Sequence, residues 1–394
     1  MKTHVFIVND NTFPVHLKYL FAGTGASYGT RRPIWVDWHI GLLSDIRRVR
    51  AGDFVIFYME GTKITNGFYG IFKIPEQSPM IFHEPFHNGF QPGLLKNKLI
   101  YRTLIEPYEV YSEGVPEWEA LDKLPVYATE IQWSLIYRKL KGKRGCTPLL
   151  PWEAERLMDM IRNKNAGNPI ANSQFTGGFD WDSRKRKIIT TPSRSHYPTS
   201  RNYNFNPLEA ICYVQKYQKS FDSYLKDSKK FEISPQYSRR SKSYEPYLQL
   251  YFTENIGVNQ NLDPIVGNNV IWFGNEVACG VGMQKIDILT ICQNGERKEY
   301  RIIELKDEPV HPEVVDQIEY YVNWASQNSG RHLDGAFDWN IQPVIVAPPH
   351  NSRNWQSVVN AFRNYNRKRI SLPILYFEFE IDCGRTIVFH QINY

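Results

Sequence analysis

The sequence predicts a two-domain protein of mixed α+β and α/β class: a mostly β N-terminal unit, then a C-terminal mixed sheet flanked by helices. Three observations lead there. The 394 residues, 42% hydrophobic and 22% charged, are ample for two buried cores. Up to about residue 165 the chain is dominated by short aromatic and β-branched runs bounded by Gly, Asp and Asn. From about 240 the pattern reads helix, strands, helix, strand, helix, strand, the order of a mixed sheet with helices packed on it.

In the N-terminal unit, VFIV (Val5 to Val8), DFVIFYM (Asp53 to Met59) and GFYGIFKI (Gly67 to Ile74) read as strands. The last two are joined by EGTKITN, which suits a hairpin. LLSDIRRVRAGD has the apolar spacing of a short helix closing at Gly52. PWEAERLMDMIRNKN (Pro151 to Asn165) reads as a stronger helix, with Pro early, acids in the first turn and bases in the last.

Residues 166–239 read as connector. NAGNPIANSQFTGG and TTPSRSHYPTSRNYN lack a periodic apolar pattern, and one helix is expected over PLEAICYVQKYQKSFDSYLK (Pro207 to Lys226).

The C-terminal unit, 240–394, begins with a helix over YEPYLQLYFTENI. Strands follow over IVGNNVIWFGNEVACG, MQKIDILTIC and EYRIIELK, the last two separated by the polar turn region QNGERKEY. HPEVVDQIEYYVNWASQ is a helix and QPVIVAPP a short buried strand; a further helix and the strand ILYFEFEI finish the chain.

Bulk chemistry narrows the function classes. A formal net charge of +6 suits a polyanionic partner without demanding one. RKLKGKR (Arg138 to Arg144) and RKRK (Arg184 to Lys187) are either phosphate-neutralising runs or solvated surface. Five scattered cysteines form no CxxC pair, which gives no zinc spacing and no disulfide framework and points to a reducing cytoplasm. MKTHVFIVND is too soon interrupted to be a signal peptide, and no apolar run approaches a membrane span.

RIIELKDE (Arg301 to Glu308) is the stretch with chemistry in it. Positions two apart on a strand share a face, so Glu304 and Lys306 point the same way. Asp287 lies on the preceding strand, and the turn between lets the two carboxylates meet at one end of the sheet. Converging carboxylates suit a hard divalent cation such as Mg²⁺, beside which Lys306 would orient water or stabilise phosphate charge. Gln317 and Tyr321, four apart, share a face of the next helix, and Glu245 lies on the helix before the sheet. The bland alternative, the charged end of a strand beside a polar helix face, stays open on these residues alone.

Residues 245 to about 350 resemble the C-terminal nuclease module of the NucS/EndoMS endonucleases, a RecB-like branch of the PD-(D/E)xK superfamily. The resemblance rests on the helix with Glu245, Gln249, Glu254 and Asn255, the G-x-x-I-D-I-L strand with Asp287, and the I-E-L-K strand with Glu304 and Lys306. The QxxxY helix with Gln317 and Tyr321 and the strand VIVAPP continue it in order. It implies a restriction-endonuclease-like fold, Asp287 and Glu304 as Mg²⁺ ligands (Mn²⁺ substituting) and Lys306 as the catalytic lysine. Glu245 and Gln317 would complete the site and Tyr321 support it. Ile286 stands where the superfamily pattern has proline, and the hairpin between Asp287 and Glu304 is larger than usual.

The N-terminal half does not resemble that of the mismatch-type enzymes. RRPIWVDWHIGLLSDIRRVRAGDFVIFYMEGT with GFYGIFKI resembles instead the EVE/YTH group of PUA-like domains, through Trp35 or Trp38, Gly52-Asp53, Phe57-Tyr58 and Gly70, with Trp133 and Tyr137 later. That resemblance implies a PUA-like β-barrel with helices and an aromatic pocket for a flipped modified base. Trp35, Trp38, Tyr58 and Trp133 would line it, while Arg138, Lys139, Lys141, Lys143 and Arg144 held phosphates around it. Core packing is the competing role for each aromatic.

The expectation is therefore a Mg²⁺-dependent endonuclease acting on double-stranded DNA that carries a modified base; a homodimer is attractive because one such site cuts one strand, but the sequence shows no interface and leaves it open. A repair nuclease for mismatched, branched or single-stranded DNA shares every catalytic residue. A nucleic-acid-binding protein with an inactive nuclease fold is the reading from another class.

Overall fold

The structure, a computed structural model, describes residues 2–24, 36–61, 66–76, 81–83, 99, 101–120, 145–197, 245–279, 284–328, 339–381 and 387–394. They form two compact units. The first holds the described residues up to Tyr197 apart from Val36–Ser44, and the second holds Val36–Ser44 with everything described from Glu245 onward.

In the first unit, β1 (Thr3–Val8) runs parallel to β3 (Phe54–Met59), with Thr3 opposite Phe54. A parallel pair needs a crossover, which the chain between Val8 and Phe54 supplies; α2 (Val36–Arg47) lies in that stretch, and most of it falls in the second unit. Strand β4 (Gly67–Lys73) pairs antiparallel with β3, and β9 (Cys146–Leu149) flanks β1 on the other side. Beyond β4 come β7 (Glu106–Val110) and the edge strand β10 (Ala171–Asn172), while β8 (Val115–Pro116) also pairs with β4. A separate small sheet joins β2 (Phe21–Thr24), β6 (Tyr101–Leu104) and β5 (Ile81–His83).

The strand runs read from the aromatic and β-branched pattern are all present. The expected barrel is not: the main sheet has the open order β10-β7-β4-β3-β1-β9, and no closed barrel forms among the described residues. Register shifts between β3 and β4 and between β4 and β7 mark where the ladder is irregular.

Asp53 fastens the start of β3 to β1. It accepts the backbone N–H of Lys2 and Arg50 and faces His4 Nε2 at 2.9 Å. Burial pushes His4 down to about 4, so the ring is neutral and donates to the carboxylate.

Residues 166–197, expected as connector, instead belong to this unit. Besides β10 they form the hairpin β11 (Gly178–Asp182) and β12 (Lys187–Thr191). Trp181 of β11 packs on Phe13 of α1 (Phe13–Tyr19) at 5.1 Å, and its indole N–H donates to Asp10. The short strands carry so much Asp, Lys and Thr that no apolar period shows in sequence. RKRK is the turn of that hairpin. Arg184 and Lys185 are exposed there, while Arg186 pairs with Asp10 and Lys187 with Glu113. Helix α3 (Pro151–Lys164) forms as expected, burying Ala154, Leu157 and Ile161. The helix expected over 207–226 lies outside the described residues.

The second unit is a six-stranded sheet in the order β13 (Val270–Ala278), β14 (Lys285–Asn294), β15 (Arg297–Leu305), β16 (Trp339–Ala347), β17 (Leu375–Ile381), β18 (Ile387–Gln391). The first three strands form an antiparallel meander, and Gly295 takes the positive φ of the tight β14–β15 turn. Strands β15, β16 and β17 are parallel, which requires the crossover helices α6 (Val314–Asn328) and α7 (Trp355–Arg367). Helix α4 (Glu245–Asn255) packs on β13, β14 and β15, and the one-turn α5 (Asp263–Val266) leads into β13. Strand β18 was not expected; it pairs antiparallel with β17 as a half-exposed edge, so its pattern lacks a buried face.

Candidate active site

The site begins where two strands part. Strands β14 and β15 keep register from Asn294–Arg297 to Ile288–Ile303 and then diverge. The carboxylate of Asp287 takes over the missing ladder position: its Oδ2 accepts the Leu305 N–H at 2.8 Å. On the other side β15 stays paired with β16 through Leu305–Val346, and the Lys306 N–H donates to Val346 O at 2.9 Å. The split leaves Asp287, Glu304 and Lys306 around the end of one strand.

Glu304 and Lys306 share a face as the two-residue period requires. Lys306 Nζ donates to Glu304 Oε1 at 2.6 Å and to Gln317 Oε1 at 3.0 Å. From α6, one turn past Gln317, Tyr321 accepts Gln317 Nε2 at 2.6 Å and donates to Lys285 O at 2.7 Å. The ammonium is thus held through a chain of hydrogen bonds anchored to the first residue of β14. From α4, Gln249 Nε2 donates to Asp287 Oδ1 at 3.3 Å. Gln249 was seen in the sequence only as part of a motif. Its contact depends on α4 folding onto β14, which no local pattern reveals.

The electrostatics follow from burial. Asp287 and Glu304 are 6% and 2% exposed. Burial pushes the Asp287 carboxyl well above the carboxylate range, reinforced by the charges of Glu304 and Glu245. Burial likewise raises Glu304, against the opposing pull of Lys306, and raises Glu245. For Lys306, burial alone would favour the neutral amine, but Glu304, Asp287 and Glu245 outweigh it and lift the ammonium above its ordinary value. Lys306 therefore carries a proton in this site. Cys279 lies close enough to Glu304 that burial and that charge push its thiol up to about 12, so it is no nucleophile here.

Among the described residues, no group of three or more His, Cys, Asp and Glu side chains forms a ready-made metal cage. Mg²⁺ does not require one, since it keeps several waters and is held by one or two carboxylates plus substrate oxygens. One observation fits such an ion: Glu304 Oε2 is buried with no hydrogen-bond partner. An orphaned carboxylate oxygen between two further acids is a costly arrangement for a bare protein.

The predicted base pocket is mostly beyond what the structure describes. Trp35, Trp133, Arg138, Lys139, Lys141, Lys143 and Arg144 lie outside the described residues, as does Tyr137, and of Trp38 only its place in α2 is described. Tyr58 is 1% exposed, its ring against Phe68 at 5.1 Å and its hydroxyl donated to Glu117 Oε2. It is a core residue of β3 and presents no open face for stacking. Asn66 Nδ2 donates to the same Glu117 oxygen, which fixes the tyrosine further.

No family model matches the chain, and no curated protein is similar to it. Among solved structures the restriction endonuclease FokI is similar at 12% identity and a TM-score of 0.21, over 55% of this chain and 37% of that one. The chain therefore spans well under half of that enzyme, and a similarity at this level carries no argument about function. Among the described residues no helix is long and apolar enough to cross a membrane.

Proposed function

We propose that the chain is a divalent-metal-dependent DNA endonuclease whose C-terminal unit hydrolyses phosphodiester bonds. The observation that carries the reading is the convergence of Asp287, Glu304 and Lys306 at the split end of β15, with Glu304 Oε2 left unpartnered in a buried place. Asp287 and Glu304 would hold Mg²⁺, with Mn²⁺ able to replace it. When bound, the ion polarises a phosphate oxygen and lowers the pKa of a coordinated water.

The chain's own residues do the rest. Gln249 and the Leu305 N–H fix both oxygens of Asp287, so the carboxylate meets its ligand in one orientation. Lys306, protonated and pinned by Gln317, places a positive charge where the pentavalent phosphate gathers negative charge. Tyr321 keeps Gln317 from rotating. Glu245, its carboxyl raised, stands beside Asp287 as the remaining group able to take or return a proton.

We assign the N-terminal unit the part of a reader that captures a flipped modified base, which makes the whole a modification-dependent restriction enzyme. The support is the sequence resemblance in that half, carried by the tryptophans named above. One such active site cuts one strand, so double-strand breakage would need a homodimer. Digestion of duplexes identical in sequence but differing in base modification tests this reading. Cleavage confined to one modified substrate supports it, whereas equal cutting of all of them, or cutting only of mismatched or branched DNA, removes the reader assignment.

A further inference from the structure

Lys306, Ala347 and Glu378 lie level on three adjacent parallel strands. Leu305 pairs with Val346, the Lys306 N–H bonds Val346 O, and Ala347 pairs with Glu378. With strands about 4.8 Å apart, the Cα atoms of Lys306 and Glu378 are roughly 10 Å from each other. The carboxyl ends of parallel strands in open sheets are where ligands bind. On that edge, beside the nuclease centre, Glu378 holds a histidine in place.

His350 follows β16 directly. Its backbone N–H and its Nδ1 both lie on Glu378 Oε1, at 2.8 and 2.6 Å, and Tyr376 donates to the same oxygen at 3.1 Å. The ring stacks on Trp355, the first residue of α7, with centroids 4.2 Å apart. A carboxylate only accepts, so Nδ1 carries hydrogen, and in the imidazolium form, which pairs with the Glu378 charge, Nε2–H is the donor left for a phosphate oxygen. Glu378 is nearly buried, while the His350 side chain is one-third exposed.

A second, independent observation concerns charge. From Trp339 to Phe377 the sequence contains no Asp or Glu, yet it holds Arg353, Arg363, Arg367, Lys368 and Arg369. On α7, Val358, Val359, Phe362 and Tyr365 are buried. The outer face presents Gln356, Asn360, Arg363, Asn364 and Arg367, all exposed. Neither Arg353 nor Arg363 has an ion-pair partner among the described residues. Lys368, by contrast, is engaged by Glu319 of α6.

We propose that this basic face is the track for the backbone of duplex DNA, with His350 as the anchor beside the scissile phosphate and Arg353, Arg363 and Arg367 meeting phosphates further along. Arg363 and Arg367 are one turn apart, about 6 Å along the helix axis. No acidic residue lies between them in the sequence, which suits backbone contacts that carry no sequence information. Glu378 is a positioning residue that fixes the direction of His350 and offsets the charge of its imidazolium form. This assignment rests on the nuclease reading of the site, whose residues it leaves untouched.

The test uses the full chain and a fluorescein-labelled duplex of the best-cleaved sequence. Binding is measured in EDTA over a series of salt concentrations, and cleavage separately in Mg²⁺. Both arginines of Arg353→Ala/Arg363→Ala are exposed, so the variant should fold as the wild type does. It is expected to bind about tenfold or more weakly at 0.15 M salt, with the slope of log K against log salt reduced by about 1.8, near 0.9 per lost phosphate contact. His350→Ala should raise KM for DNA about tenfold with a smaller change in kcat, and His350→Arg should recover most of that loss. Should His350→Ala fold poorly, Glu378→Gln serves instead and is expected to raise KM by a few-fold.

Unchanged affinity, salt slope and KM in these variants, alongside a wild type that binds and cuts, would overturn the track and leave the nuclease reading standing. A wild type that neither binds nor cuts any duplex would overturn the nuclease reading, and the track with it.

Discussion

The Asp287 carboxylate stands in for a strand partner, accepting the Leu305 N–H at 2.8 Å at the point where β14 leaves β15. That one contact bridges the gap where the strands part and holds the carboxyl at it. It also means Asp287 serves structure and chemistry through different atoms. Asp287→Asn keeps a side-chain carbonyl for the Leu305 N–H but loses the charge. Cleavage should fall by at least about 10²-fold while the fold is retained. The measurement is single-turnover cleavage in Mg²⁺ together with a thermal melt.

The crowded acids set a pH dependence for the metal-free protein. Asp287, Glu304 and Glu245 have folded-state pKa values raised above the ordinary carboxylate range, first of all by burial. Their protonated forms favour the fold below that range, and this advantage is lost as pH rises through the raised values. Urea unfolding in EDTA should therefore show stability declining from about pH 4 upward, by roughly 1.4 kcal/mol for each pKa unit of upward shift. Mg²⁺ should reverse the decline, and Asp287→Asn should flatten it. A metal-free stability curve that is level across pH 4 to 8 would contradict the crowding.

Gln249 is the residue to test for metal positioning. Removing its amide takes away the hydrogen bond that orients Asp287 Oδ1, so on the proposed reading the metal would lose a fixed ligand. Gln249→Ala should require roughly 10- to 100-fold more Mg²⁺ for half-maximal cleavage. Its DNA binding in EDTA should match the wild type, because the side chain is buried.

Lys306 differs, since its charge is set by the acids around it. Lys306→Gln should lower the single-turnover rate by about 10²-fold. It should also raise the Glu304 carboxyl further, because the opposing cation is gone. Metal titration followed by Mn²⁺ binding would read this second effect, with weaker binding below neutral pH than in the wild type.

In the N-terminal unit, Glu153 closes the first turn of α3 by accepting the Leu150 N–H at 3.0 Å. Burial pushes its carboxyl up to about 8, so the contact exists mainly with the acid protonated at neutral pH. Glu153→Gln, which fills the site with no proton to take up, should be at least as stable as the wild type at pH 7, whereas Glu153→Ala should lose the first-turn contact. The wild type should lose stability as pH rises from about 4.5 to about 8, and Glu153→Gln should not.

Much of the C-terminal unit was legible because its signals are local. The strands β14 and β15 are β-branched runs joined by a short turn, so Asp287 and Glu304 had little freedom not to meet. Glu304 with Lys306, and Gln317 with Tyr321, are fixed by strand and helix periods alone. The rest needed tertiary structure. Gln249 reaches Asp287 only because α4 lies on the meander, and His350 finds Glu378 across 28 residues only because α7 crosses between their strands. In the N-terminal unit, aromatic content signalled strands but not which rings face inward: Tyr58 reads equally as pocket or core until Glu117 and Phe68 are seen to enclose it. The polar hairpin of β11 and β12 resembles connector because its stability comes from Trp181 docking on Phe13 rather than from its own pattern.

The most direct measurement is cleavage of a plasmid bearing the accepted modification, by wild type, Asp287→Ala and Lys306→Ala, each in Mg²⁺ and in EDTA. The expected result is cutting by wild type in Mg²⁺ alone, with both variants inactive and still bound to the DNA. Cleavage by either variant at the wild-type rate, or by wild type in EDTA, would contradict a metal-dependent site built on the split end of β15.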